Sequence, residues 1–108
     1  MKDPIPTDKE IGKRLREART NAGLTQAEAA KLLGLHRPAV TEIEQGNRKV
    51  TPQEIVAFSE MYAVAYEWIL GQWHEEDLPD EMVAMVQKLP PIDRRKLLAT
   101  LASYGNMY

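Results

Sequence analysis

The chain has 108 residues, 44% of them hydrophobic, and a formal net charge of −2, which suits one folded domain with a short appendage and argues against wholesale disorder. It contains no cysteine, so disulfide bonds and cysteine nucleophiles are excluded. No apolar run could span a bilayer and the first residues lack an apolar signal region, so we expect a cytoplasmic protein that does not act in a membrane.

Three pairs of threonine and glutamate with capping-box spacing predict where three helices begin. The pairs are Thr7 with Glu10, Thr25 with Glu28, and Thr51 with Glu54. The first helix should start near Asp8 and end before Gly23, because its apolar residues recur every three or four positions. Those residues are Ile11, Leu15, Ala18 and Ala22.

Two short helices separated by a tight turn follow. We expect the first over residues 26–33, ended by Gly34. The second should begin at residue 36 or 37, because Pro38 is tolerated only in the first turn of a helix, and Gly46 should end it. The side chains expected to face the core are Ala29, Leu32, Leu33, Val40 and Ile43.

A fourth helix should begin with Pro52 at its first position, after a basic loop. Its apolar face consists of Ile55, Val56, Phe58 and Met61. A turn at residues 62–64 and a short fifth helix should then complete the domain, which Gly71 closes. The apolar residues of that fifth helix are Trp68, Ile69 and Leu70.

A tail of two more helices is predicted beyond an acidic linker at residues 72–77. The first should run from about residue 79 to residue 88 and the second from about residue 91 to residue 104. The sequence Leu89-Pro90-Pro91 separates them, because proline cannot continue a helix. No segment has the alternating pattern of a strand, so we predict an all-α architecture.

Residues 26–46 carry the functional signal. Two helices so close in sequence cannot lie antiparallel, so they should cross steeply as a helix-turn-helix, whose second helix enters the major groove of DNA. Charge favours the same interpretation: residues 11–49 carry eight basic and four acidic side chains, whereas residues 50–108 carry four basic and nine acidic ones. A basic front half suits a polyanionic partner, although small proteins also segregate charge without one.

The stretch LTQAEAAKLLGLHRPAVTEIEQGNRKVTPQEIVAFSEMYAVAYEWILG resembles the phage repressor and Cro proteins, also called the Xre family, over about 60 of the 108 residues. The residues that carry the resemblance are Leu24, Thr25, Gln26, Ala30, Gly34, Val40, Ile43, Glu44, Gly46, Pro52, Trp68, Ile69 and Leu70. It implies a five-helix lambda-repressor-like DNA-binding domain at residues 8–71, with a two-helix C-terminal extension at residues 78–105.

The resemblance also implies which side chains contact DNA. They are Gln26, Arg37, Pro38, Thr41, Glu42, Asn47, Arg48 and Lys49. Gln26, at the N-terminus of the second helix, would bind a phosphate. His36 is a further candidate for DNA binding: it could contact a phosphate or serve only as the residue that begins the third helix. Residues 47–49 would grip the backbone and set affinity rather than sequence preference.

Base reading is expected from the third helix. Arg37 can bond to guanine O6 and N7, and Glu42 can accept from the amino group of cytosine. Pro38 departs from the usual polar residue of the family and offers only apolar contact, for instance to a thymine methyl, or a stiff helix start. Thr41 and Glu42 could instead be merely exposed, and Glu42 could pair with Arg37 or Lys49.

Arg19 and Glu44 match an ion pair that ties the first helix to the end of the third in this family. We therefore assign both a structural role, because a buried charge without its partner is costly.

The predicted tail is too short for a core of its own, so it must pack on the DNA-binding domain, on a second copy of the chain or on another protein. The residues expected at such a dimer or partner interface are Trp68, Leu70, Met82, Val86, Leu97, Leu98 and Leu101. Repressors of this type bind half-sites as dimers.

These features predict a dimeric repressor of a short palindromic operator, with double-stranded DNA as its partner. The stretch LPP-x-DRRKLL also resembles tails of regulators encoded with a metallopeptidase or toxin. That likeness gives an alternative: an antitoxin or immunity-type regulator whose tail binds such a protein and which autoregulates its operon. A third alternative is a transcriptional activator that recruits polymerase. We expect no enzyme, cofactor or metal site, since no phosphate loop or nucleophile set is present and His74 with its acidic neighbours lies in the linker.

Overall fold

The computed structural model describes residues 5–72, 78–94 and 97. Its helices are α1 (Asp8–Asn21), α2 (Gln26–Leu33), α3 (Arg37–Gln45), α4 (Pro52–Tyr62), α5 (Tyr66–Ile69) and α6 (Asp80–Gln87). Residues 91–94 and 97 are helical as well. The described residues contain no strand, so the all-α fold class is confirmed.

The helix starts follow from local hydrogen bonds. Thr7, Thr25 and Thr51 each form the predicted capping box, with the threonine side chain bound to the third backbone N–H and the glutamate bound back to the threonine N–H. Pro38 lies in the first turn of α3, as expected. Gly34, at φ +69°, ends α2 in the left-handed region that a side chain disfavours, which lets α3 begin within three residues.

The core lies where α1, α3, α4 and α5 meet. Its largest buried side chains are Leu15, Ile43, Phe58 and Ile69. One predicted core residue was wrong, because Leu32 is 66% exposed. Ala29, Ala30 and Leu33 form the inward face of α2, and Leu32 lies about 100° away from the middle of that face.

Helices α1 and α3 approach each other closely at Gly12. A Cβ atom on Gly12 would overlap the carbonyl oxygen of Ile43 and lie 2.8 Å from that of Glu44. Glycine is therefore required here by the packing of one helix against the backbone of the other. This contact places the end of α3 against the middle of α1.

The tail lies beside α1. Ile92 lines a pocket together with α1 side chains that include Lys13 and Arg16. In α6, Val86 is only 1% exposed and thus packs inside the chain, whereas Met82 is half-buried and Met85 is 68% exposed.

Some predicted features fall where the structure gives no description. Leu97 is half-buried, but Leu98 and Leu101 lie outside the described residues, as does most of the predicted linker, residues 73–77. Among the helices that are described, none is long and apolar enough to cross a membrane.

Candidate nucleic-acid interface

Helices α2 and α3 and the loop at residues 47–50 together form the surface predicted to contact DNA. The loop continues directly from the C-terminus of α3, because Gly46 ends that helix in the left-handed conformation. Most of the predicted contact side chains are exposed; they are His36, Arg37, Pro38, Glu42, Asn47 and Lys49. Gln26, Thr41 and Arg48 are half-buried because each is bound to a neighbouring element.

Arg37 and Glu42 have no ion-pair partner among the described residues. The expected alternatives for Glu42 were Arg37 and Lys49, but Lys49 Nζ lies 3.3 Å from Asp8 Oδ2 instead. Both charged groups on the outer face of α3 are therefore free to meet a ligand. Arg37 is the first residue of α3, and Glu42 lies in its next turn.

Arg48 is bound to neighbouring residues of the chain. Its Nη1 and Nη2 donate to the two carboxylate oxygens of Glu54, each at 3.0 Å, and Nη1 also donates to the Lys49 carbonyl. Glu54 is also the capping-box residue of α4. The pair thus fastens the loop to the start of α4, which leaves Asn47 and Lys49 as the exposed side chains of the loop.

Glu54 should make stability depend on pH in the acid range. The hydrogen bond from Arg48 holds the pKa of Glu54 below its ordinary value of 4.5. A lowered pKa stabilises the fold above that ordinary value, and the stabilisation is lost as pH falls through the lowered value. We expect acid to destabilise the wild-type protein more steeply than Glu54→Gln, as measured by urea unfolding between pH 6 and pH 3. Glu60→Gln, on the exposed side of α4, is the control, and equal slopes for all three proteins would contradict the assignment.

Arg19 and Glu44 form a buried ion pair that extends to the DNA-facing surface. Arg19 Nε and Nη2 donate to the Glu44 carboxylate at 2.7 and 3.1 Å. Gln26 Nε2 donates to the same carboxylate at 3.0 Å, and Gln26 Oε1 accepts from the Thr41 hydroxyl at 3.0 Å. One connected set of hydrogen bonds therefore links α1, the end of α3, the start of α2 and the middle of α3.

Sequence reasoning missed the internal partners of Gln26 and Arg48. Gln26 and Glu44 are 18 residues apart, and Arg48 and Glu54 are six apart across a loop, so neither pair has the three- or four-residue spacing that marks contacts along a helix. The available signal was chemical: Glu54 is the first acidic residue after the basic loop that contains Arg48.

An apolar groove lies on the side formed by α4 and α5. Its lining residues are Val50, Pro52, Ile55, Val56, Tyr66 and Leu70. Val56 and Tyr66 are each about half exposed. Of the two interface residues predicted in this part of the chain, both pack against the core, and Leu70 also lines the groove.

Within the described part of the chain, no group of histidine, aspartate and glutamate side chains is arranged to hold a metal ion.

The sequence of this chain is similar to that of helix-turn-helix transcriptional regulators. A family model described as a helix-turn-helix domain matches residues 10–67. The HTH-type transcriptional regulator ImmR of Bacillus subtilis (strain 168) is 36% identical over 62 residues, which cover 57% of this chain and 49% of ImmR. The chain thus matches about half the length of that relative.

Solved structures share the fold. The restriction-modification controller protein C.AhdI from Aeromonas hydrophila is 34% identical with a TM-score of 0.54, covering 57% of this chain and 94% of that one. The clp gene regulator ClgR from C. glutamicum is 22% identical with a TM-score of 0.58, over 66% and 92% of the two chains. The hypothetical transcription factor NHTF from Neisseria, at 23% identity and a TM-score of 0.54, covers 90% of this chain and 95% of its own.

Proposed function

This chain belongs to the Xre family of helix-turn-helix transcriptional regulators, which are not enzymes, and on that premise we propose that it is a dimeric repressor of a short palindromic operator. The observation that carries the proposal is that Arg37 and Glu42, on the exposed face of α3, have no ion-pair partner among the residues the structure describes. A charged side chain that is not engaged inside the protein can bond to a base edge without first losing a partner. We place this activity in the cytoplasm.

Base preference follows from the donors and acceptors of these side chains. Arg37 offers the paired donors that match guanine O6 and N7, and Glu42 offers acceptors for the amino group of cytosine. Pro38 precedes Glu42 by one helical turn and can contact a thymine methyl group. Exposed Asn47 and Lys49, in the loop that follows the reading helix, contact the DNA backbone and fix the register of that helix.

Arg37→Ala should relax the preference at one base position, at a cost of about 1–3 kcal/mol in binding to the preferred sequence. The other positions should keep their preference because Glu42 and Pro38 remain. Selection of bound sequences from random duplex DNA, followed by affinity measurements, gives both quantities. Arg16→Ala, an exposed arginine on α1, is the control and should leave the profile unchanged. A uniform loss across all sequences would make Arg37 a phosphate contact.

Dimerisation is assigned to the groove between α4 and α5. Its described lining residues carry no charge, and half-exposed Val56 and Tyr66 offer apolar area that a second copy would remove from water. A symmetric pair joined there would present two α3 helices to two half-sites about one helical turn apart, which is what a palindromic operator requires.

Val56→Glu should convert the dimer into a monomer, because the glutamate would be buried without a partner in the interface. A monomer carries only one α3, so its binding to an operator with two half-sites should be about a hundredfold weaker. Analytical ultracentrifugation measures the first effect and titration of the operator measures the second. Met85→Glu changes an apolar residue of the tail that is also more than half exposed and should leave the dimer intact. If Met85→Glu dissociates the dimer and Val56→Glu does not, the tail is the dimer interface.

A second candidate function is protein binding by the tail, with DNA binding used for autoregulation, as in an antitoxin or immunity-type regulator. Exposed Met85, Leu89 and Ile92 lie within eight residues around the break after α6 and favour this candidate. Its partner would be the toxin or metallopeptidase encoded beside this chain. Co-expression of that neighbour should yield a stoichiometric complex that Met85→Glu disrupts and Val56→Glu does not. A neighbour that stays separate from the wild-type chain would rule this function out.

A further inference from the structure

The hydrogen bonds around Gln26 bear on base recognition, beyond the phosphate contact predicted for that residue. We propose that the buried Arg19–Glu44 pair fixes the side-chain amide of Gln26 and thereby makes Thr41 an acceptor that selects a base with an amino group, adenine or cytosine. The inference rests on the proposed function, since it names what one residue of the reading helix recognises.

The orientation of the Gln26 amide is determined by Glu44. An ionised carboxylate only accepts hydrogen bonds, so the group that faces it at 3.0 Å must be the Gln26 NH₂. The two Arg19 donors on the same carboxylate hold Glu44 in place, and both residues are buried. The carbonyl oxygen of Gln26 must then face the other way, toward Thr41.

Thr41 is left with an acceptor to offer. A threonine hydroxyl has one hydrogen, which lets it donate or accept at a base edge. Two atoms lie within hydrogen-bond distance of the Thr41 hydroxyl oxygen, and both are acceptors. They are Gln26 Oε1 at 3.0 Å and the Arg37 carbonyl oxygen at 3.2 Å. The hydroxyl donates inside the protein, so its lone pairs are what remains for DNA.

The chemistry of the bases then sets the preference. In the major groove, adenine presents its N6 amino group and cytosine its N4 amino group, whereas guanine O6 and thymine O4 only accept. An acceptor at Thr41 therefore favours adenine and cytosine. Guanine or thymine would place a second acceptor opposite it, so no hydrogen bond would form. Glu44 and Gln26 are positioning residues for base selection, because they act on the base through Thr41.

The second N–H of Gln26 has no partner among the described residues and is available for the expected phosphate contact. Gln26 would therefore couple backbone contact to base recognition, because a phosphate bound there would further hold the amide in the orientation that Thr41 needs.

The double Arg19→Met/Glu44→Leu variant removes the ion pair while filling its volume, which proteins often tolerate without loss of stability. Its Gln26 amide can rotate and offer NH₂ to Thr41.

Selection of bound sequences from random duplex DNA tests the proposal when four proteins are compared: wild type, Thr41→Val, Arg19→Met/Glu44→Leu and Gln26→Met. The wild-type profile should contain a position where adenine or cytosine is favoured about three- to tenfold, and Thr41→Val should abolish that preference. The double variant and Gln26→Met should reduce it at the same position and leave the guanine preference assigned to Arg37 unchanged. Gln26→Met decides the test if the double variant does not fold.

Two results would overturn the inference alone: a Thr41-dependent position that favours guanine or thymine, or a preference that survives in the variants of the pair and of Gln26. A wild-type chain that enriches no sequence would overturn the proposed function together with the inference.

Discussion

Replacing Glu44 with alanine should lower the free energy of unfolding by about 3–5 kcal/mol, the usual cost of removing one partner from a buried ion pair. The change takes away the acceptors for Arg19 Nε and Nη2. The arginine would keep a single bond, from Nη1 to the Leu24 carbonyl at 2.8 Å, and its charge would stay buried. Urea unfolding followed by far-ultraviolet circular dichroism measures the loss.

Lys49→Ala is the matched control for that prediction. Lys49 also forms an ion pair, with Asp8, but its side chain is 87% exposed, so removing it should cost about 1 kcal/mol or less. The Arg19→Met/Glu44→Leu double variant should recover most of the stability that Glu44→Ala loses, since no charge is left unpaired. A loss for Glu44→Ala no larger than that for Lys49→Ala would contradict the assigned role of the buried pair.

Gly12→Ala should destabilise the protein by about 3 kcal/mol, at the upper end of what overpacking costs. A methyl group there would overlap the carbonyl oxygens of Ile43 and Glu44, and backbone atoms cannot move aside as the end of a flexible side chain can. The expected sign is opposite to that of local helix propensity, because alanine stabilises the interior of an isolated helix by about 1 kcal/mol relative to glycine. Thermal and urea unfolding would report which effect is larger.

Gly23→Ala separates this contact from the general effect of replacing a glycine. Gly23 has a φ of +76° and no atom lies within 4 Å of where its Cβ would be, so only backbone strain of about 1–2 kcal/mol is expected. If Gly12→Ala stabilised the protein, the close approach of α1 to α3 would be wrong.

The sequence predicted most accurately the helix starts, which depend on residues close together in the chain. The capping boxes at Thr7, Thr25 and Thr51 join residues three positions apart, and each is present where it was expected. Pro38 correctly located the first turn of α3 because its ring is incompatible with later turns. Each of these interactions lies within one helical turn, so its prediction does not require knowledge of tertiary packing.

The error at Leu32 has a physical reason in the composition of α2. Most of its eight residues are apolar, so periodicity alone did not distinguish the inward face from its flank. In the folded chain Ala29 and Ala30 are the buried residues of α2. Leu32 then fell on the exposed side.

Part of what arranges the candidate site was out of reach for a related reason. The family resemblance predicted the Arg19–Glu44 pair, which the structure contains, but the bond from Gln26 to Glu44 joins residues 18 positions apart and exists only once α2 and α3 have packed. A glycine inside a predicted helix was the one local sign of the close contact at Gly12, because such a glycine usually has a packing reason. Arg37 is exposed at the start of α3, and its contact with a base stays a prediction.

The central claim is that a dimer of this chain recognises a palindromic sequence through α3. Selection from random duplex DNA with the wild-type protein, followed by the mass of the complex formed on the enriched sequence, tests it most directly. We predict two inverted half-sites whose centres are about 10–10.5 base pairs apart, or a multiple of that spacing, bound by two copies of the chain. Enrichment of no sequence, or of a single half-site occupied by one copy, would contradict it.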